Sequence, residues 1–103
     1  MASFFMYYIY ILKSESAGSY YVGHTDDPVR RLAEHNHSVH LTFTSKYRPW
    51  IMVALFECSE DRRTAQKLEN FIKHQKSKSF LEKMIHSEKF SGILAQLAKV
   101  PRA

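Results

Sequence analysis

Five residues, Tyr10, Tyr21, Arg31, His35 and Glu69, carry side chains whose chemistry is complementary. Two phenols can accept or position a proton, an imidazole can take it onward, a guanidinium can hold an anionic oxygen, and a carboxylate can ligate a cation. Hydrolysis of a phosphodiester asks for such a set: a proton acceptor for water, cationic donors for the charge of the phosphorane, and usually a divalent ion. Taken singly, each has a bland alternative. A strand tyrosine is commonly a core residue with one satisfied hydroxyl. Arg31 and His35 would serve equally as a solvated helix face, and Glu69 would pair with Lys73 four residues on.

The elements that must position these groups are legible in pattern. Met6 to Leu12 and Tyr20 to Thr25 are rich in aromatic and β-branched residues, and "KSESAGS" between them supplies turn residues, so they read as a β-hairpin. Alternation puts Tyr8, Tyr10 and Leu12 on one face, and Tyr21 and Gly23 on one face of the partner. A turn centred near Ser16 and Ala17 sets Tyr10 opposite Gly23 and diagonal to Tyr21, where the glycine leaves a hollow beside the ring.

"TDDP" is a helix start, with Asp27 as N-cap and Pro28 at the first helical position. Val29, Leu32, Ala33 and Asn36 follow helical spacing as a short core stripe, and Arg31 and His35, four apart, project beside it. "IMVALFECS" reads as a central strand. Ser59 is placed to cap a helix in which Ala65, Leu68, Glu69 and Ile72 occupy i, i+3, i+4 and i+7. A carboxylate in that buried stripe costs free energy unless it is paired or bound to metal. "FLEKMIH" is a further short helix, Ile93 to Ala98 a last amphipathic one, and the closing "KVPRA" a frayed end.

In order and spacing these residues resemble the GIY-YIG nuclease superfamily: "YIY" at Tyr8 to Tyr10, "YVG" at Tyr21 to Gly23, Arg31 and His35 on the next helix, and Glu69 on a later one. The "TSKYRPW" loop, the "AQKLENFIK" helix and the small size are similar to stand-alone bacterial domains akin to the nuclease domain of excinuclease C. Tyr8 stands where the family name has glycine, and Val22 where it has isoleucine. The resemblance implies an α/β (α+β) fold with a three-stranded antiparallel sheet flanked by helices. It also implies a metal-dependent endonuclease acting on DNA phosphodiesters, of the kind used in repair or recombination.

The same resemblance implies roles. Glu69 is the single protein ligand of Mg²⁺ or Mn²⁺, an ion that keeps most of its waters. Tyr10 accepts a proton from the attacking water, His35 relays it, Tyr21 positions the water or the phosphate, and Arg31 holds the scissile phosphate. Bringing a phenol of pKa about 10 to neutrality takes about 4 kcal/mol, for which Arg31 and the metal are the expected sources. The alternative is a module on the same fold that binds nucleic acid without cutting, or cuts only once a partner orders the site.

Composition is compatible with either. With 45% hydrophobic and 24% charged residues, three glycines and three prolines, 103 residues make one domain, expected as a core over 6–81 and a helical extension over 82–103. The lone Cys58 excludes a disulfide within the chain and fits a reducing compartment. The apolar opening, Phe4 to Leu12, is far below the roughly 18 residues of a bilayer span and lacks signal-peptide flanks, so a cytoplasmic protein is expected.

A net charge of +5 favours an anionic partner, and most of it lies late: residues 1–51 hold five Lys/Arg against four Asp/Glu, and 52–103 ten against six. Lys73, Lys76 and Lys78, with Lys46 and Arg48 in the earlier loop, are the expected phosphate contacts to DNA, with RNA open as well. Tyr47 and Trp50 are candidates to stack on bases, although Trp50 beside Pro49 also suits a core. His24 at the strand end borders the expected cleft. "HNHSVH" offers His37 and His40 three apart, without the second ligand pair that zinc requires. No separate specificity domain is visible, so selectivity must come from shape near the cleft or from a protein partner.

Overall fold

The computed structural model describes residues 5–40 and 43–101. Two strands, β1 (Tyr7–Ser14) and β2 (Tyr20–Thr25), form the expected hairpin, in the register that sets Tyr10 against Gly23. Gly18 supplies a left-handed turn position at φ +72°. Buried Ser14 pins the turn: its hydroxyl accepts from the Ala17 N–H at 3.0 Å and donates to the Tyr47 carbonyl at 2.6 Å.

The third strand, β3 (Trp50–Ser59), pairs with the other side of β1, so among the described residues β2 is an edge strand. Register shifts between Tyr7 and Tyr8 and between Ile11 and Leu12 mark bulges in that pairing. Helices α2 (Arg62–His74) and α3 (Lys78–His86) cover one face, packing Ala65, Leu68, Ile72 and Met84 against Ile9, Ile11, Val22 and Phe56. Helix α1 (Pro28–His37) and a 3₁₀ turn over Phe43–Tyr47 cover the other face, above Tyr10, Leu12 and Trp50.

Local chemistry explains the helix starts. The Asp27 carboxylate accepts from the Arg30 N–H at 3.1 Å with Pro28 following, as the sequence predicts. For α2 the cap is Asp61 rather than Ser59: the Asp61 carboxylate accepts from the Arg63 N–H at 3.0 Å, while the Ser59 hydroxyl holds the Asp61 N–H one step earlier. The buried stripe of α2, Ala65, Leu68, Glu69 and Ile72, is the predicted one.

Three expectations need correction. Among the described residues the sheet has four strands, because β4 (Ala98–Lys99) pairs antiparallel with β3 at Phe56 and Glu57. The predicted helix over Ile93 to Ala98 does not form; a 3₁₀ turn over Gly92–Leu94 leads directly into β4. Gly92 sits at φ +64°, the segment is too short for a stable helix, and the open edge of β3 offers its unpaired backbone groups instead. Finally, Val29 and Ala33 of α1 face solvent, Val29 at 82% exposure, and the face turned inward carries Leu32, His35 and Asn36. The predicted frayed end, 99–103, is partly ordered: Lys99 belongs to β4 and the Val100 N–H donates to the Leu55 carbonyl at 2.8 Å, while 102–103 lie outside the described residues.

Candidate active site

Beside the edge strand β2 opens a cleft of about 430 Å³, with Tyr10, Tyr21, Arg31 and Glu69 in its wall and His24 beside them. Each reaches it from a different element. Tyr10 comes from the middle of β1, and its ring lies across Gly23: a Cβ at that position would stand 2.6 Å from Tyr10 Cζ. The glycine is therefore required by the ring. Tyr21 stands two residues earlier on the same strand, its ring centroid 6.4 Å from that of Tyr10 and 4.9 Å from that of His35.

Arg31 and His35 lie one turn apart on α1 and both meet the Tyr10 hydroxyl. A guanidinium can only donate, so the Tyr10 oxygen accepts from Arg31 Nε at 3.3 Å. The phenolic hydrogen is then directed to His35 Nε2 at 2.9 Å. That assigns the imidazole hydrogen to Nδ1, which donates to Thr44 Oγ1 at 3.1 Å. Thr44 is buried, and its carbonyl accepts from the Trp50 indole N–H at 2.8 Å. The relay from Tyr10 through His35 to Thr44 is thus anchored on the start of β3.

Burial sets the protonation states. Burial first, and the charge of Arg31 second, push His35 down to about 4, with Arg48 adding and Glu34 opposing. His35 is therefore a neutral imidazole at physiological pH. The Tyr10 phenol is pushed up to about 12, because burial outweighs both the hydrogen bond and the charge of Arg31, and Tyr21 and Glu69 act in the same direction as burial. Arg31 does lower this phenol, by its hydrogen bond and by its charge, as expected, but in this state burial outweighs it. Holding a free phenolate at pH 7 would cost roughly 7 kcal/mol, so Tyr10 stands in this site as a protonated phenol.

Glu69, 8% exposed, is the carboxylate that the buried stripe of α2 turns into the cleft. One oxygen accepts from His24 Nδ1 and the other from Lys73 Nζ, each at 2.7 Å. The bland pairing with Lys73 is real, and so is the placement in the cleft. His24 lies at the strand end, where the sequence puts it. Arg31 is balanced in the same way, its Nη1 donating to Glu34 at 3.0 Å.

The other cations divide. Lys73 borders the cleft through Glu69, Lys76 and Lys78 line a neighbouring groove, and Lys46 is exposed on the 3₁₀ turn, outside the lining of the cleft. Arg48 is committed to the main chain, donating to the carbonyls of His35 at 2.7 Å and Ser38 at 2.9 Å at the end of α1. Trp50 is buried beneath the site, and its backbone is held by Asn36 through two hydrogen bonds of 2.9 and 2.7 Å. Thr44 and Asn36 are the positioning residues that sequence reasoning missed. Neither carries a motif, and only the fold brings the loop over α1.

A tyrosine backed by a neutral imidazole, an arginine and a buried carboxylate, at the edge of a small antiparallel sheet, are the marks of a nuclease domain. The family model for the GIY-YIG catalytic domain matches residues 6–84, and the chain belongs to that family. It is 38% identical over 76 residues to a structure-specific endonuclease subunit, SLX1, of the yeast Meyerozyma guilliermondii, covering 69% of this chain and 26% of that protein. It is 42% identical over 69 residues to a UPF0213 protein of Listeria monocytogenes, covering 67% of this chain and 75% of that one. A UPF0213 protein of Listeria welshimeri is 36% identical over 85 residues, covering 82% and 92%. The chain thus spans about a quarter of the yeast protein and most of the bacterial ones.

Proposed function

We propose that this chain is a divalent-metal-dependent endonuclease that hydrolyses DNA phosphodiesters, with Tyr10, Tyr21, Arg31, His35 and Glu69 as its working groups. The observation that carries the reading is the convergence on the Tyr10 hydroxyl of a hydrogen-bond acceptor, His35 Nε2 at 2.9 Å, and a cation, Arg31 Nε at 3.3 Å, beside the Glu69 carboxylate. As water attacks phosphorus, Tyr10 Oη accepts its proton while the phenolic hydrogen passes to His35 Nε2, so no free phenolate has to form. A phosphate on Arg31 neutralises one of the two main causes that hold His35 basicity down, so substrate arrival strengthens the acceptor. Arg31 donates to the equatorial oxygens, and Tyr21 orients the phosphate or the water.

The donor set suits a hard, mostly hydrated ion. Glu69 is a buried carboxylate in the cleft wall, and among the described residues no three His, Cys, Asp or Glu side chains cluster as a closed site would need. Glu69 would hold Mg²⁺ or Mn²⁺, which when bound supplies Lewis-acid stabilisation of the phosphorane charge. Lys73, whose side chain is 43% exposed, is free to leave Glu69 for a phosphate oxygen.

A second reading is favoured by the internal pairing of Glu69 with His24 and Lys73 and of Arg31 with Glu34. In it, the domain binds nucleic acid and cuts only after a partner protein or a particular substrate opens those pairs. The yeast relative, named as a subunit, is consistent with a partner. Because the chemistry acts at phosphorus, RNA can serve as substrate on either reading. A cytoplasmic location and a role in repair or recombination belong to the same proposal; among the described residues, no helix is long and apolar enough to cross a membrane.

The test is incubation of labelled duplex, branched and single-stranded DNA with Mg²⁺, Mn²⁺ or EDTA. Metal-dependent cutting that Glu69→Ala removes, while DNA binding changes little, supports the enzyme. Equal residual nicking by wild type and variant contradicts it, and binding without cutting under every metal favours the second reading.

A further inference from the structure

Tyr21 also lines a second groove, of about 560 Å³, between the hairpin turn and the junction of α2 with α3. Its lining is of two kinds. Val22, Ile72 and Leu81 are apolar and wholly or partly buried, whereas Lys73, Lys76 and Lys78 are exposed cations. Tyr20 lies among them, with Lys13 and Lys78 ammoniums 5.7 and 5.8 Å from its ring centroid. Lys73 stands 5.3 Å from the Tyr21 ring. Among the described residues, no carboxylate is in the lining; nearby, Glu82 accepts from the Tyr20 hydroxyl at 3.3 Å.

Two of these lysines sit where backbone and charge disfavour them. Lys76 holds φ +47°, the left-handed region in which a residue with a Cβ costs roughly 1–2 kcal/mol and glycine does not. Lys78 opens α3, at the positive end of the helix dipole, where an acidic side chain would be stabilising. The fold alone would be better served by other residues at both positions.

A groove that joins an aromatic ring and an apolar wall to a row of ammoniums offers one surface to the face of a base and another to phosphate. A base presents its face only when unpaired. We propose that this groove holds the single strand that leads away from the scissile phosphate, with a base against Tyr20 and the apolar wall and with phosphates on Lys76 and Lys78. This inference rests on the nuclease reading and narrows it: the substrate is DNA with unpaired nucleotides next to the point of cleavage. Continuity with the catalytic cleft is provided by Tyr21, which lines both, and by Lys73, which spans from Glu69 to the groove. Entry of a base displaces one ammonium from the Tyr20 ring and frees it for the strand's own phosphate.

The experiment is fluorescence anisotropy in EDTA with labelled oligothymidylate, a flapped duplex and a blunt duplex, across a salt series. The proteins are wild type, Tyr20→Ala, and Lys76→Gly alone and with Lys78→Ala. Lys76→Gly relieves the strained backbone, so its thermal midpoint should hold or rise while single-strand affinity falls, which separates lost contact from lost folding. The double lysine variant should reduce the salt slope by about 1.4, at about 0.7 per phosphate contact to a single strand, and Tyr20→Ala should weaken that binding about tenfold. Blunt duplex should be affected least. Unchanged single-strand binding in all variants overturns the inference, as does an equal loss for blunt duplex, which would mark a general polyanion surface. Because binding is read without metal, the two proposals fail separately. Groove-dependent binding without cleavage removes the nuclease, and metal-dependent cleavage with groove-independent binding removes only the groove.

Discussion

The two faces of the sheet are built by different physics. Under α2 and α3, Ile9, Ile11, Val22 and Phe56 meet Ala65, Leu68, Ile72 and Met84 in a core held by shape and burial. Under α1, the apolar Leu12 is buried beside Tyr10, His35, Thr44 and Trp50, and these four are joined by directional hydrogen bonds and by a ring that fits only over a glycine. The first face tolerates exchange of one hydrophobe for another at modest cost. The second has little latitude, since each polar atom is satisfied by a particular neighbour. Stability should therefore concentrate on one side and chemistry on the other.

The comparison is broken most forcefully from the core side. Phe56→Ala should cost about 3–5 kcal/mol of folding free energy, read by chemical denaturation, with the cleavage rate per folded molecule unchanged. A rate that falls in proportion would show that the faces are not separable. On the other face, Gly23→Ala places a methyl against the Tyr10 ring, and should lower cleavage at least about a hundredfold while costing about 1–3 kcal/mol of stability. Unchanged cleavage would mean that the ring position is not essential.

Acid sharpens the contrast further. His35 has its folded pKa depressed to about 4 from 6.5, so its contribution to stability is whole above pH 6.5 and is lost as pH falls toward 4. The loss should approach about 3 kcal/mol, absent in His35→Phe, as read by denaturant midpoints against pH. At the other extreme, Tyr10 keeps its proton to about pH 12, so the native state should weaken as pH rises above 10. The smallest effect is expected at Thr44. Thr44→Val should reduce cleavage about tenfold and alter its pH profile, whereas Thr44→Ser, which keeps the hydroxyl that holds His35, should retain most of the activity.

The same contrast explains what the sequence disclosed. The hairpin register, the Asp27–Pro28 start and the stripe of α2 depend on local spacing, and all three stand in the structure as read. The side chains of the cleft were legible for the same reason: alternation along two strands and the turns of two helices aim them at one edge. The missing parts depend on distant contacts. Asn36 and Arg48 serve carbonyls that are remote in sequence, at 14 and at 10 to 13 residues. The inward face of α1 was misread because its buried residue is the polar His35 rather than Val29. The end of the chain follows the free edge of β3, which no local period could reveal.

The most direct measurement is the metal-dependent cleavage rate of Tyr10→Phe, a change that leaves the ring over Gly23 and removes only the oxygen that links Arg31 and His35. The relay predicts a loss of about a hundredfold or more in rate, with the fold and DNA binding retained. A variant that cleaves as fast as the wild type would contradict it and would require the proton of the attacking water to leave by another route.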